Sequence, residues 1–461
     1  MKSALVISIL VKGFGALFEI AAQVLITRFG SVALFGEYNF YVSVAEIICW
    51  LLFSGIVKLN AYYVANGQDI SQFRRKFWLV FALPITILLS ALGGLAYSAL
   101  FAIVVAGSYC YGMQLNLSSV FLACGRYKVS LFGEYLVSRA VLLIGVVAMI
   151  AFGTLGVDQL VAIYILGFVT SVCFFIAKKQ HFEIAVNPIK SEGYGEVLRK
   201  QVRFQLTDVA NGLINQAPVI VQYLFSGAFQ AGVLSVVLVT RKVISFIAGP
   251  TAKIYLPEFA RSYGRGDLSG LRKTYREIVL LQMCFVLPIC LVVIGAPESL
   301  LAIYNQQLVE YGLWMRAAAG VFMVMVLFGP QGNLLSMVGQ ERIEMWSKWL
   351  SLAVMVTVMA LTFGDPMFVF YGIAAQVVAD AAAKLIFLIR VLGGFPIGLA
   401  DWFRLGLPFL TMTLVVAWLP FGAMLKLVLS GFFAVALCVT LVLLFFRHSI
   451  ASRLGRAKLH G

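Results

Sequence analysis

Lys12, Arg139, Arg241 and Lys242 are cations set inside long apolar runs, and Glu19, Glu46 and Asp208 are carboxylates set the same way. An Arg or Lys at the centre of a membrane-spanning helix costs about 2.5–3.5 kcal/mol on insertion scales, so ionised groups there serve binding, coupling or tight pairing. Arg139 and Arg241 each stand ten residues into their run, which at about 1.5 Å per residue puts both near the bilayer centre. Lys12 lies nine residues into the first run. Lys242 points about 100° round the helix from Arg241, so both line one cavity only if their helix sits at its edge. Cations at one depth call for an anionic ligand group or for an equal set of buried carboxylates. Arginine pairs with phosphate oxygens in bidentate fashion, and Glu19, Glu46 and Asp208 are placed to take up a proton or a cation. The alternative is that these charges, with Glu134 and Asp380, pair with one another and bind nothing. Asn211 and Asn215 share a helix face with Asp208 by their spacing of three to four. They read as a hydroxyl-binding cavity wall, or as helix-to-helix hydrogen bonds worth about 0.6 kcal/mol each. Pro218 is expected to loosen that helix. Asp380 and Lys384, four apart, are spaced to neutralise each other.

The elements that must hold these groups are about fourteen apolar runs, each near the 20 or so residues needed to span about 30 Å of hydrocarbon. They cover Ser3–Thr27, Tyr38–Ala65, Phe77–Leu92, Ala96–Ala123, Val129–Phe152, Val157–Ala177 and Phe204–Phe225. The second seven are Ala231–Leu256, Tyr275–Ile294, Gly312–Met337, Met345–Phe363, Phe368–Ile389, Trp402–Pro420 and Ala423–Phe446. With 62% apolar and 12% charged residues in 461, the sequence reads as an all-α polytopic membrane protein.

Basic residues sort the connections. Those after runs 2 (Arg74, Arg75, Lys76), 4 (Arg126, Lys128), 6 (Lys178, Lys179, Lys190) and 8 (Arg261, Arg265, Arg272, Lys273) are rich in them, as is the tail. The alternate connections are nearly devoid of them, which places both termini in the cytoplasm of a bacterial inner membrane. The net charge of +15 then reflects insertion and anionic lipid headgroups rather than a nucleic-acid partner. Lys12 interrupts the first run, whose apolar character continues to Thr27, so it reads as a retained helix rather than a cleaved signal. The seven cysteines show no CxxC spacing, and His181, His448 and His460 have no metal-ligand partner at helical spacing, so neither a metal nor a cofactor is expected. No phosphate-binding loop ends in Lys-Ser or Lys-Thr, and no connection is large enough for a catalytic domain. The chain reads as a non-enzyme.

At an offset of 196 the first two runs match the seventh and eighth at Val6/Val202, Leu10/Leu206, Leu17/Leu213, Ala21/Ala217, Phe29/Phe225 and Gly36/Gly232. At 214, Cys124-Gly125-Arg126-Tyr127 matches Val338-Gly339-Gln340-Glu341. Six-helix repeats of this kind keep one orientation and are related by a pseudo-two-fold axis along the membrane normal. The expected organisation is an N-lobe over residues 1–178, a linker over 179–203, a C-lobe over 204–391, and two further helices with a basic tail over 392–461. The repeat swaps charge sign at Lys12/Asp208, Glu46/Lys242 and Glu134/Lys348, which allows ion pairs across the lobes.

Arg28-Phe29-Gly30-Ser31, Phe35-Gly36-Glu37-Tyr38 and Leu122-Ala123-Cys124-Gly125-Arg126 resemble the polysaccharide transporter family. That family includes the O-antigen (Wzx-type) flippases and belongs to the multidrug, oligosaccharidyl-lipid and polysaccharide exporter superfamily. The resemblance implies two alternately opening lobes and movement of an undecaprenyl-diphosphate-linked oligosaccharide from the cytoplasmic to the periplasmic leaflet. Its partners would be that lipid-linked saccharide, membrane lipids and other polysaccharide-assembly proteins. The resemblance also implies a cationic cavity, for which Arg139, Arg241, Lys242 and Lys12 qualify by depth and not by a motif. Three alternatives stay open: a lipid II flippase, a cation-coupled multidrug antiporter, and a membrane oligosaccharide polymerase. The last would be expected to carry a large external loop with catalytic Arg or His, which the connection from Gly295 to Tyr311 does not have.

Overall fold

The computed structural model describes residues 2–65, 68–69, 71–179, 187–188, 194–395, 397–418 and 423–457, helical almost throughout. Thirteen helices are long and apolar enough to cross a membrane, and the one over Val197–Ser245 has 49 residues, enough for two passes. It belongs to a helical stretch, Tyr194–Gly264, that is broken at Gly227, so the described residues offer fourteen candidate passes. In chain order they are α1 (Lys2–Leu25), α2 (Val32–Ala65), α3 (Ser71–Ala96), α4 (Ala99–Ala123), α5 (Tyr127–Phe152), α6 (Val157–Lys179), α7 (residues 194–226) and α8 (residues 228–264). There follow α9 (Leu268–Gly295), α10 (Gly312–Leu327), α11 (Glu341–Leu361), α12 (Phe368–Leu392), α13 (Leu399–Trp418) and α14 (Ala423–Ala457). Among the described residues the only β pairing is a two-residue parallel bridge between Gln68–Asp69 and Asn187–Pro188. His181, Lys190, His460 and residues 180–186 and 189–193 of the expected linker lie outside the described residues.

Helix starts follow side-chain caps rather than the edge of the apolar run. Ser31 accepts from the Leu34 amide at 3.0 Å and starts α2 six residues before Tyr38. Ser98 does the same for α4 through the Phe101 amide. The backbone stays helical through Pro218 and departs only at Gly227, with φ 85°, contrary to the expectation that proline would loosen the helix. Proline removes one donor, which a packed membrane helix absorbs, whereas a positive φ is open mainly to glycine. Among the described residues three π-helical turns occur, at Ile26–Gly30, Phe77–Ala82 and Phe132–Val137.

The chain forms two compact units. In unit 1 (Met1–Ser235 with Met355–Ile373) α4 packs on α2, α3 and α6, and α5 packs on α1 and α6. Its core includes Phe53 stacked on Trp78 at 4.7 Å, with Tyr109 edge-on to both. In unit 2 (Val236–Val354 with Ala374–Gly461) α9 is the central helix, packed on α10, α13 and α14. Its sequence is apolar around much of its circumference, with Ile278, Val279, Cys284 and Leu291 fully buried, as a core helix must be. Arg276 grips Asp401 through two bonds of 2.7 and 2.8 Å, tying α9 to α13. The second repeat correspondence has a structural counterpart. Gly125 (φ 75°) and Gly339 (φ 77°) both end a helix in the left-handed conformation. Each is followed by the equivalent 2.9 Å bond, Arg126 N to Phe121 O and Gln340 N to Leu335 O.

Candidate functional site

Unit 1 gathers most of the intramembrane carboxylates. Arg139 of α5 donates from Nε to Glu19 Oε2 of α1 at 3.0 Å, with about four-fifths of each side chain buried. Gln23 reaches the other Glu19 oxygen at 3.3 Å. Arg139 also lies within electrostatic reach of Glu46 and of the Tyr111 and Tyr164 phenols. Glu46 of α2 accepts from the Tyr164 hydroxyl at 3.2 Å and from the Gln216 amide, and Gln216 is held in turn by Ser43 at 3.2 Å. One guanidinium thus bonds one carboxylate, Glu19, and lies within electrostatic reach of a second, Glu46.

Around this core, Lys12 lies over the Tyr135 ring at 4.6 Å. Glu134, in the π-helical turn of α5, accepts from Ser118, which shares a 2.8 Å bond with Ser130. Asp208 of α7 is buried and pairs with Lys58 of α2 at 2.7 Å. Gln205, a turn earlier, bonds the Trp50 carbonyl at 2.8 Å and the Gly55 amide at 2.6 Å.

Unit 2 gathers cations. Arg241 of α8, half-buried, has its guanidinium 5.9 Å from the Phe322 ring centre. Among the described residues no carboxylate of its own unit forms a salt bridge with it. Lys348 of α11 and Lys384 of α12 converge on one carboxylate, Asp380, at 3.0 and 2.9 Å.

Of the residues singled out from sequence, Arg139, Glu19 and Glu46 come together, with Lys12 beside them on Tyr135. Asp208, Asn211 and Asn215 share a face of α7, and the two asparagines are half-buried. Lys242 is exposed beside Arg241. The sign-swapped repeat positions take other partners: Lys58 for Asp208, Ser118 for Glu134 and Asp380 for Lys348. Asp380 therefore answers two lysines and not Lys384 alone. Sequence reasoning missed Lys58, Tyr164, Gln205 and Gln216, and named Lys348 only as the repeat counterpart of Glu134. The test that selected Lys12, a charge inside an apolar run, selects Lys58 equally. Among the described residues no group of three or more His, Cys, Asp or Glu side chains could hold a metal ion.

No family model and no curated protein matches the chain. Solved structures do. The lipid II flippase MurJ, in an inward closed conformation, superposes with a TM-score of 0.67 at 12% identity over 96% of this chain and 100% of its own. An inward-facing multidrug resistance MATE family transporter of the MOP superfamily gives 0.63 at 13% over 84% and 98%. The MATE multidrug transporter DinF-BH gives 0.64 at 15% over 84% and 94%. Likeness at this level of identity establishes the fold, and the fold of this chain is that of the MOP-superfamily transporters.

Proposed function

We propose that the chain is a flippase that carries a polyprenyl-diphosphate-linked saccharide, an O-antigen or exopolysaccharide repeat unit, from the cytoplasmic to the periplasmic leaflet of a bacterial inner membrane by alternating access. The observation that carries this reading is the positive charge of unit 2, where among the described residues Arg241 is in no salt bridge and two buried lysines share Asp380. A diphosphate is prohibitively costly to draw through hydrocarbon unless cations meet it, whereas its lipid tail can stay in the bilayer. Arg241, Lys242, Arg139 and Lys12 are assigned to the diphosphate, and Asn211 and Asn215 to saccharide hydroxyls. Because Arg139 holds Glu19, protonation of Glu19 would free it for phosphate, which makes Glu19, Glu46 and Asp208 the coupling groups. The lobes would be residues 1–178 and 204–391, and the basic connections and both termini would face the cytoplasm.

A lipid II flippase is the second reading. The MurJ match spans 96% of the chain, whereas the MATE matches span 84–85%. The remaining 16% of 461 residues, about 74, is the size of the segment 392–461. Both ligands are lipid diphosphates and differ at the saccharide.

The test is to deplete the protein in its native cell, extract polyprenyl-diphosphate saccharides and determine which membrane face exposes them. Complete repeat units building up on the cytoplasmic face support the first reading, and lipid II there supports the second. Normal exposure of both on the periplasmic face rejects both and favours a cation-coupled drug antiporter.

A further inference from the structure

Gln376, Asp380 and Lys384 follow one another at intervals of four on α12, so they form one stripe along a single helix face. Lys348 crosses from α11 to the same carboxylate, so Asp380 Oδ2 accepts from both ammonium groups at 3.0 Å. Both lysine side chains are deeply buried, with 17% and 5% of their surface exposed. Arg241 is near enough to Asp380 to feel its charge. Glu344 closes the group: its Oε1 and Lys384 Nζ lie 2.8 and 3.4 Å from the place a Cβ on Gly332 would take. Three cations therefore face two carboxylates.

Polar atoms without partners adjoin the cluster in the chain. The Gln376 side-chain oxygen, one turn before Asp380, and the Thr240 hydroxyl, next to Arg241, have no hydrogen-bond partner although the residues are 3% and 2% exposed. The same holds for the amide nitrogen of Gln331, beside Gly332 and 6% exposed. Buried orphans of this kind are costly unless a ligand or water meets them. Two lysines and an arginine offer about eleven N–H donors between them, by the three and five of each type, against about eight lone-pair sites on Asp380 and Glu344.

We propose that Arg241, Lys348 and Lys384 form an anion site within unit 2 that takes a diphosphate, with Asp380 as the placeholder that keeps the two ammonium groups together while the site is empty. This rests on the flippase reading for the identity of the diphosphate, not for the site itself. A diphosphate diester carries two negative charges and several acceptor oxygens, so it exceeds what the surplus cation neutralises and draws the lysines away from Asp380.

The experiment is titration of the purified full-length protein, in nanodiscs of zwitterionic lipid, with inorganic pyrophosphate and with orthophosphate. Lys348→Gln and Lys384→Gln should each weaken pyrophosphate binding about tenfold, and Asp380→Asn should tighten it by a similar factor, since it removes the competing carboxylate. Lys384→Arg, which keeps the charge, should retain binding and guards against misreading a folding defect. If Asp380→Asn weakens binding or leaves it unchanged, the cluster is a structural lock and the proposal falls. It falls too if wild type binds no pyrophosphate, or binds orthophosphate equally well. Pyrophosphate binding that follows this pattern in a protein whose depletion leaves lipid-linked saccharides correctly exposed keeps the site and rejects the flippase reading.

Discussion

Gly36 and Gly232 meet in a reciprocal contact. A Cβ on Gly36 would lie 1.8 Å from the Ala228 carbonyl, and a Cβ on Gly232 would lie 2.1 Å from the Val32 carbonyl. Each glycine faces the residue four before the other, and the offset of 196 that carries Gly36 to Gly232 also carries Val32 to Ala228. The two contacts are one contact made twice, as an isologous interface requires. The repeat detected along the sequence thus has a local two-fold relation in space, where α2 crosses the start of α8 backbone to backbone.

No side chain fits this crossing, so Gly36→Ala and Gly232→Ala are each expected to cost about 3 kcal/mol, the upper part of the range for overpacking. Gly13→Ala in α1, where a Cβ would meet nothing within 4 Å, should be neutral or stabilising by less than about 1 kcal/mol. Thermal unfolding in detergent checks this, and equal midpoints for all three variants would contradict it.

Glu19→Gln leaves the Arg139 guanidinium buried without its counter-charge, a loss expected to be about 3 kcal/mol. The double variant with Arg139→Gln should lose less than the sum of the single ones, and a double-mutant cycle by thermal or denaturant unfolding measures the difference.

Glu46→Gln presents an amide to two donors, Tyr164 and Gln216, with Gln216 held in orientation by Ser43. Its oxygen can accept from Gln216 while its NH2 donates to the Tyr164 hydroxyl, which accepts as well as donates, so the change should cost less than about 1 kcal/mol. If Glu46 couples transport to an ion, flipping in proteoliposomes should stop responding to an imposed proton or sodium gradient. A wild-type response to both removes Glu46 from the coupling path.

Asn60 is fully buried between α2, α3 and α4, donating to Asn116 at 2.6 Å and Ser119 at 2.9 Å and accepting from Arg74 at 3.4 Å. Asn60→Ala should cost about 1–3 kcal/mol, because the Asn116 side-chain oxygen loses its donor, while Ser119 keeps its bond to the Asn116 carbonyl. Unfolding midpoints of Asn60→Ala and of the triple variant with Asn116→Ala and Ser119→Ala should therefore lie closer together than three independent losses allow.

The N-cap of α9 is the accessible pH probe. Asp267 accepts from the Gly270 amide at 2.8 Å and from Ser269, and these bonds hold its carboxyl below the ordinary aspartate range. A depressed folded pKa means stability that is present above the unfolded value and lost as pH falls through the folded one. Asp267→Asn keeps the cap and should flatten that acid limb of the unfolding midpoint; an unchanged limb would exclude Asp267 as its source.

The fourteen passes were legible because each needs about 20 apolar residues, a signal no packing detail erases. The ends were less so: α3 begins at Ser71, six residues before its apolar run, because Arg74, Arg75 and Lys76 continue the helix without continuing the apolar run. Arg139 and Glu19 were legible as buried charges, but that they pair depends on how α1 packs on α5, which no single-sequence pattern encodes. Gln216 and Tyr164 escaped because the search began from charged residues and from the face that Asp208 shares with Asn211 and Asn215, although together they bond Glu46. The break at Gly227 was hidden because the sequence offers Pro218 as the more conspicuous interruption, and the backbone bends where φ must be positive instead.

The π-helical turn at Phe132–Val137 leaves α5 with one residue more than an α-helix of that length would hold. Its two ends are consequently out of phase by about 100°. Removing one residue there should restore ordinary winding without breaking the helix, turning Tyr127–Leu131 relative to Arg139. In chain length, then, α5 can absorb a single-residue deletion, as α3 can at Phe77–Ala82, and the side chains that would register it in α5 are Glu134 against Ser118 and Tyr135 under Lys12.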